Sequence, residues 1–279
     1  LLQLNEEKIN SIFINNFQLE GAVKINVKER DLSINLSSKK EICLEYISFA
    51  VGCMFGRYSL DKTGLILANQ GETLEDYLNC ISKPSFPPDD DNVIPILDSN
   101  WFQDDITPRF FRFLRITFGD VNFEENIRFI ETSIGKNIRK YFVNEFYNDH
   151  IQTYKKRHIY WMFCSPKGSF KALIYIHRYN RNTVPILLDK YFREFLRKLK
   201  VEKNSCEQIS IDSNSSSVEK TRSTKKIRKI DSILHELQTW EREVLYPLAT
   251  ERIEIDLDDG VKTNYPKFGS ALKKVSGLS

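Results

Sequence analysis

One stretch of the sequence crowds Lys and Arg against Tyr, Trp and Phe, which raises the question of what requires positive charge and aromatic rings together. The stretch is YKKRHIYWMFCSPKGSFKALIYIHRYNR at 154–181, and no Asp or Glu occurs between Asp149 and Asp189. Lys and Arg neutralise phosphates while aromatic rings stack or pack beneath them, a combination typical of a nucleic-acid surface. A solvated hairpin with its aromatic residues in the core has the same composition, so both interpretations stay open. The candidate nucleic-acid-binding residues are Lys155, Lys156, Arg157, Lys167, Lys171, Arg178 and Arg181.

Other reactive residue types do not form recognisable catalytic or metal-binding patterns. No G-x-G-x-x-G, G-x-x-x-x-G-K-[ST] or G-x-S-x-G motif occurs, so no nucleotide-binding loop or nucleophile elbow is visible. The carboxylates at 89–91 lie in a proline-rich loop, where we expect their charge to keep the loop solvated rather than to serve catalysis. His158 and His177 fall on two predicted strands and are expected to face one another, in a structural or phosphate-contacting role.

Five scattered cysteines form no C-x-x-C pair, which is typical of reduced thiols in the cytoplasm and disfavours a zinc site. No apolar run approaches the length of a membrane span. The N-terminus lacks a secretory signal pattern and an initiator Met, so we expect a piece of a longer chain. The net charge of +3 says little about partners, although a second basic cluster follows a Ser-rich run at 213–223.

Hydrophobic periodicity predicts the elements that position these residues. An N-terminal helix is expected near 5–19, short alternating runs at 22–27 and 31–36, and a buried helix at 39–58. A proline-broken loop at 84–97 leads to a short extended piece. Three packed helices are predicted at 104–119, 122–135 and 137–154, and further helices at 186–200 and 224–246.

Two hairpins are expected among these helices. Alternation at 158–163 and 170–179, around a Pro- and Gly-containing turn, predicts the first, and Asp259-Gly260 between two alternating runs predicts the second. The predicted fold class is α+β, mainly helical with two or more β-hairpins.

Four segments describe the expected organisation. They are a connector region with helices and short strands (1–98), a helical bundle with the basic aromatic hairpin (99–206), a Ser-rich linker or loop (207–223), and a C-terminal helix and hairpin (224–279).

Four long segments together resemble one family. The segments 48–69, 101–119, 154–179 and 245–275, in this order, resemble the C-terminal part of PglX, the adenine-specific DNA methyltransferase family of BREX phage-defence systems. That family is related to the fused methyltransferase and specificity proteins of type II restriction-modification.

The resemblance implies a large enzyme that transfers a methyl group from S-adenosylmethionine to adenine in host DNA. Such chemistry requires an N-P-P-[YF] motif and a Gly-containing cofactor loop, and neither is present, so no cofactor is expected in this fragment. The implied role is a noncatalytic region that engages double-stranded DNA, with phosphate contact as the expected role of the seven basic residues. The alternative is a protein-interaction module that docks other BREX subunits, or is targeted by phage DNA mimics, through the same basic faces.

Overall fold

The computed structural model describes residues 2–17, 24–28 and 38–278. The chain divides into two compact units, Leu1–Leu44 and Glu45–Ser279. The alternating run predicted at 31–36 lies outside the described residues, and the run at 22–27 lies partly outside them.

Helices make up most of the described chain, which confirms the mainly helical α+β class. They are α1 (Leu2–Asn16), α2 (Lys39–Met54), α3 (Leu74–Cys80), α4 (Ile106–Phe118), α5 (Phe123–Ile134), α6 (Ile138–Tyr141), α7 (Tyr147–Thr153), α8 (Thr183–Ile186), α9 (Arg193–Ile211), α10 (Ser217–Trp240), α11 (Tyr246–Glu251) and α12 (Val261–Asn264). Continuous π-helical turns join three of these pairs: Phe142–Phe146 joins α6 to α7, Leu187–Phe192 joins α8 to α9, and Glu241–Leu245 joins α10 to α11.

The predicted bundle of three helices forms from α4, α5 and the continuous α6–α7 segment. The carboxylate of Asp105 caps α4 by accepting from the backbone N–H of Thr107 at 2.8 Å. Gly135 ends α5 in the left-handed conformation, at φ 76°, which glycine adopts without a Cβ penalty. Phe110 of α4 meets Phe142 edge to face, with ring centroids 5.7 Å apart, so α4 and the α6–α7 segment pack through aromatic side chains.

A small antiparallel sheet stands at the centre of the second unit. Its strands are β1 (Val93–Pro95), β2 (Tyr160–Cys164) and β3 (Lys171–Tyr175), in the order β1-β3-β2. Strands β2 and β3 form the predicted hairpin, with Tyr160 opposite Tyr175 and Cys164 opposite Lys171. The extended piece predicted after the proline-rich loop is β1, which pairs with the other edge of β3.

The aromatic side chains of the hairpin belong to the core. Trp161 is fully buried and packs edge to face on Tyr265 and Phe268 of the C-terminal segment, at centroid distances of 5.2 and 5.6 Å. Phe170, beside the hairpin turn, packs on Trp240 of α10. These rings therefore pack between the strands and the neighbouring segments, and they are not available to stack on bases.

Helix occupies most of the segment predicted as a Ser-rich linker at 207–223. Helix α9 continues to Ile211, and α10 begins at Ser217, so only residues 212–216 lie between them. The hydroxyl of Ser216 accepts from the backbone N–H of Glu219, and the Glu219 carboxylate accepts from the backbone N–H of Ser216 at 2.9 Å. This capping box shows that part of the Ser-rich run is a helix start.

The prediction of a second hairpin around Asp259-Gly260 is wrong. Residues 257–259 form a short 3-10 turn, and α12 follows directly. Side chains satisfy the backbone groups that a second strand would have paired: Tyr179 donates to the Ile253 carbonyl at 2.8 Å, and Gln70 donates to the Ile255 carbonyl at 2.8 Å. Once these groups have partners, the alternating pattern no longer favours a strand pair.

The five cysteines carry no disulfide bond. No helix in the described ranges is both long and apolar enough to traverse a bilayer. The segment boundaries at residues 98 and 206 stay predictions, although β1 from the first segment pairs with β3 from the second.

Candidate nucleic-acid interface

The turn between α7 and β2 presents three consecutive cations to solvent. Lys155 and Lys156 adopt left-handed backbone conformations, at φ 48° and 66°, which cost energy in residues other than glycine. Backbone hydrogen bonds back onto the end of α7 hold this conformation, including that from the Arg157 N–H to the Tyr154 carbonyl at 2.8 Å. The three side chains are exposed and make no hydrogen bond or ion pair with any residue that the structure describes.

These cations form one wall of an open cleft with a volume of about 990 Å³. Lys262 of α12 adds a fourth exposed cation from a segment about a hundred residues further along the chain. Asp259 is the only acidic residue among those lining the cleft. The rest of the lining is apolar or neutral: Trp161, Ile176, His177, Leu257, Gly260, Val261, Asn264, Gly277 and Leu278. We call this site the basic cleft. It is electropositive because its lining contains four cations and one carboxylate.

His177 brings a neutral imidazole into this cleft. Its Nδ1 atom is shielded from solvent and has no hydrogen-bond partner within the described residues. Burial, with the charge of Arg57 second, lowers the pKa of His177 to about 4, so the ring is neutral near pH 7. His177 therefore adds no charge to the cleft, and its shielded Nδ1 atom is not accessible to a ligand.

His158 does not share this environment, contrary to the expectation that the two rings face one another. It is fully buried, and its Nε2 lies 3.1 Å from the hydroxyl of Tyr147, which in turn lies 3.1 Å from that of Tyr265. Its role in this polar network is structural. Burial lowers the pKa of His158 to about 4, so this ring is also neutral near pH 7.

The structure separates the other four candidate residues from the basic cleft. Arg178 is buried, and its guanidinium donates to the carbonyls of Phe55 and Asp90, both at 3.3 Å. Arg181 is exposed but forms an ion pair with Glu254. The Arg178 side chain thus holds the core, and the charge of Arg181 is already partly compensated.

Lys167 and Lys171 lie at the opposite end of the hairpin from the basic cleft. At about 3.3 Å per residue, the five residues of β2 separate the two ends by roughly 15 Å. The ammonium group of Lys171 is half-buried and donates to the Val143 carbonyl at 2.7 Å. Lys167 is exposed in the hairpin turn. The seven residues therefore form no single surface, and Lys155, Lys156 and Arg157 are the ones that stay together.

In the acidic loop at 89–91, the first carboxylate has a structural role. Asp89 is buried, although we expected a solvated loop, and its carboxylate accepts from Arg109 and from the backbone N–H groups of Asp91 and Val93 at 3.2 and 3.1 Å. Burial raises the pKa of Asp89 to about 7, while the Arg109 guanidinium acts in the opposite direction. Lys190 pairs with the other two carboxylates of the loop. Protein cations therefore already neutralise this cluster.

Sequence reasoning missed Lys262 as a member of the basic cleft. It follows the Asp-Asp-Gly turn and carries no local motif, so no signal in the sequence connects it with residues 155–157. Only the packing of the C-terminal segment against the hairpin brings the two together.

Comparison with known proteins defines the class to which the chain is related. No family model matches it. It is 35% identical over 296 aligned residues to adenine-specific methyltransferase PglX of Lacticaseibacillus casei (strain Zhang), covering 99% of this chain and 23% of that protein. It is 34% identical over 258 residues to adenine-specific methyltransferase BrxX of Escherichia coli O9:H4 (strain HS), covering 84% of this chain and 20% of that protein.

The chain is therefore homologous to part of the adenine-specific methyltransferases. The particular relatives are PglX and BrxX, so the resemblance to the PglX family is confirmed. The chain spans only about a fifth to a quarter of the length of these curated relatives.

Proposed function

We propose that this chain is the C-terminal, noncatalytic, DNA-engaging region of an adenine-specific DNA methyltransferase of BREX phage defence. The whole enzyme transfers a methyl group from S-adenosylmethionine to adenine in host DNA, in the cytoplasm. The names of the two relatives and the small share of each that the chain matches support this proposal. The absence of N-P-P-[YF] and of a glycine-rich cofactor loop from the sequence fits a catalytic centre outside it.

The single observation that carries the DNA-engaging role is the basic cleft. Lys155, Lys156, Arg157 and Lys262 are exposed and unpaired within the described chain, and they converge from two distant segments. Cations that have no intramolecular partner are available for phosphates, and each phosphate that they neutralise releases condensed counterions. Because the hairpin aromatics are buried, we assign the cleft to backbone contact rather than to base stacking or base readout.

Duplex binding across a salt series tests this role. The full-length protein is compared with Lys155→Glu combined with Arg157→Glu, on a duplex of unrelated sequence. Each lost phosphate contact lowers the slope of log affinity against log salt by about 0.9, so two contacts lower it by about 1.8. The affinity of the unsubstituted protein should then fall about 12-fold more than that of the variant between 50 and 200 mM salt.

A matched control keeps the charge change and moves its position. Lys62→Glu with Lys83→Glu alters two exposed lysines that do not line the basic cleft. Equal slopes for the cleft variant and the unsubstituted protein, or an equal loss in the control, contradict the proposal.

Docking of another BREX subunit on the same cations is the alternative function. The burial of the hairpin favours this alternative. The C-terminal segment and α10 pack on the aromatic side chains of the hairpin, so the turn at 155–157 is the part that a partner can reach. A cleft variant that keeps its DNA affinity and salt slope but loses a copurifying defence subunit would select this alternative.

A further inference from the structure

Helix α10 carries an unbalanced run of positive charge. The segment KTRSTKKIRK at 220–229 contains six cations and no carboxylate. Ser223 and Ile230 point into the core, so the exposed side of the helix carries the others. The exposed cations of this run are Arg222, Lys225, Lys226, Arg228 and Lys229.

Neighbouring cations on this face repel one another. Lys225 follows Arg222 by three residues and precedes Arg228 and Lys229 by three and four, the spacings at which helix side chains meet. Each such like-charge pair destabilises a helix by about 0.2–0.5 kcal/mol. The arrangement is therefore unfavourable for the helix by itself and becomes favourable beside a polyanion.

The rest of the protein compensates only part of this charge. Lys226 pairs with Glu202 of α9, and Lys229 lies 4.0 Å from Asp98. Arg222, Lys225 and Arg228 have no ion pair or hydrogen bond from their side chains within the described ranges.

A buried carboxylate of the same helix fixes the hairpin turn beside this run. Glu236 accepts from the backbone N–H of Lys167 at 2.7 Å and from the hydroxyl of Ser169 at 2.5 Å. Lys167 thereby lines a cavity of about 350 Å³ together with Lys226 and Lys229, whose partners Glu202 and Asp98 line it too. Lys167 and the basic run of α10, about sixty residues apart in the sequence, thus lie on one surface.

We propose that the α10 basic face, made of Arg222, Lys225, Lys226, Arg228, Lys229 and Lys167, is a second nucleic-acid-binding surface that takes the phosphate backbone of a duplex. It lies at the other end of the hairpin from the basic cleft and does not depend on binding there.

The dimensions and residue types of the face fit a duplex backbone. Arg222 and Lys229 are seven residues apart on α10, which is about 10 Å of helix. A duplex carries one charge per about 1.7 Å of axis, so it presents about six phosphates over that length. Val218, four residues before Arg222, is the one large apolar side chain exposed on α10, all of which lies within the described chain, and no aromatic side chain is exposed there, whereas protein interfaces centre on aromatic anchors.

Charge reversal of the unpaired cations tests the proposal in the full-length protein. The variant combines Arg222→Glu, Lys225→Glu and Arg228→Glu, and the probe is a 30-base-pair duplex of unrelated sequence, followed by fluorescence anisotropy. Three lost phosphate contacts lower the salt slope by about 2.7, so the unsubstituted protein should lose about 40-fold more affinity than the variant between 50 and 200 mM salt.

Two further variants separate charge from folding and from position. Glutamine at the same three positions should lower the slope equally, without repulsion, and circular dichroism confirms that both variants stay folded. The triple control Lys62→Glu, Lys83→Glu and Lys140→Glu changes exposed lysines outside the face and should leave most of the slope intact.

The outcomes distinguish this proposal from that for the basic cleft. An unchanged slope in both the Glu and Gln variants, with a reduced slope in the Lys155→Glu and Arg157→Glu variant, overturns the second surface alone. The reverse result supports the second surface and rejects the cleft. Equal competition by polyglutamate and by DNA at matched charge would assign the face to acidic protein segments and overturn the nucleic-acid proposal.

Discussion

Replacing Glu236 tests whether one buried carboxylate connects the hairpin turn to α10. Its two oxygen atoms accept from the Lys167 N–H at 2.7 Å and from the Ser169 hydroxyl at 2.5 Å. Hydrogen bonds to a charged group contribute about 1.5–3 kcal/mol each. Glu236→Ala removes both bonds and should lower the free energy of opening this turn by about 3 kcal/mol, whereas Glu236→Gln keeps one acceptor and should cost about half as much.

Amide hydrogen exchange reads this opening residue by residue in a protein of any length. At about 1.4 kcal/mol for each factor of ten, the Lys167 amide should exchange about 100-fold faster in Glu236→Ala. The neighbouring Gly168 amide donates to the Ser165 carbonyl at 2.8 Å, not to Glu236, and serves as the internal control.

Two results would refute the reasoning. A change in Lys167 exchange of less than about threefold would mean that the carboxylate contributes little to the turn. Equal acceleration of Gly168 would mean that the whole turn unfolds, rather than that one pair of bonds is lost.

Three other residues or groups lead to stability predictions. Arg139→Ala should destabilise the second unit by about 3–5 kcal/mol in urea unfolding, because it leaves the fully buried Asp105 carboxylate without its cation; a loss below about 1 kcal/mol would contradict this. Burial lowers the pKa of His150 to about 3 and that of His158 to about 4, so the unfolded chain binds more protons below about pH 6.5. Each neutral ring should contribute fully to the free energy of unfolding above that pH, and the contribution should fall by about 1–2 kcal/mol per ring by pH 5. Urea midpoints that do not change between pH 7 and 5 would contradict this prediction. Gly56→Ala should lower the melting temperature, since φ is 78° there and a Cβ would lie 2.9 Å from a leucine side chain; an unchanged melting temperature would contradict the strain.

The basic cleft and the α10 basic face are separated by a distance that would affect how the chain engages DNA. The basic cleft and the α10 basic face lie at opposite ends of one hairpin, whose strands are buried on both sides. Because both surfaces are attached to elements that pack on this hairpin, the fold sets the distance between them. Two sites at a fixed distance can bind the same duplex only where its backbone matches that distance, so the two proposed surfaces together would favour one orientation of the DNA.

Local patterns in the sequence predicted most of the helices and the central hairpin. A helix N-cap such as Asp105 and a C-cap such as Gly135 act within one turn of the helix, so a few neighbouring residues suffice to predict where the helix begins or ends. Alternation around a Pro- and Gly-containing turn likewise predicted β2 and β3. The second predicted hairpin failed at Gly260 because side chains from distant segments took the backbone partners that its strands needed.

Residue types and their order show that positive charge is concentrated at 154–181 and at 220–229, and that aromatic residues accompany the first cluster. Which of these charges are accessible follows from the packing of the folded chain: Arg178 is buried, Lys262 joins the basic cleft, and Glu236 connects Lys167 to α10. The physical reason is that a residue's type sets its charge, whereas its solvation and pairing depend on groups that the fold brings near it from elsewhere in the chain.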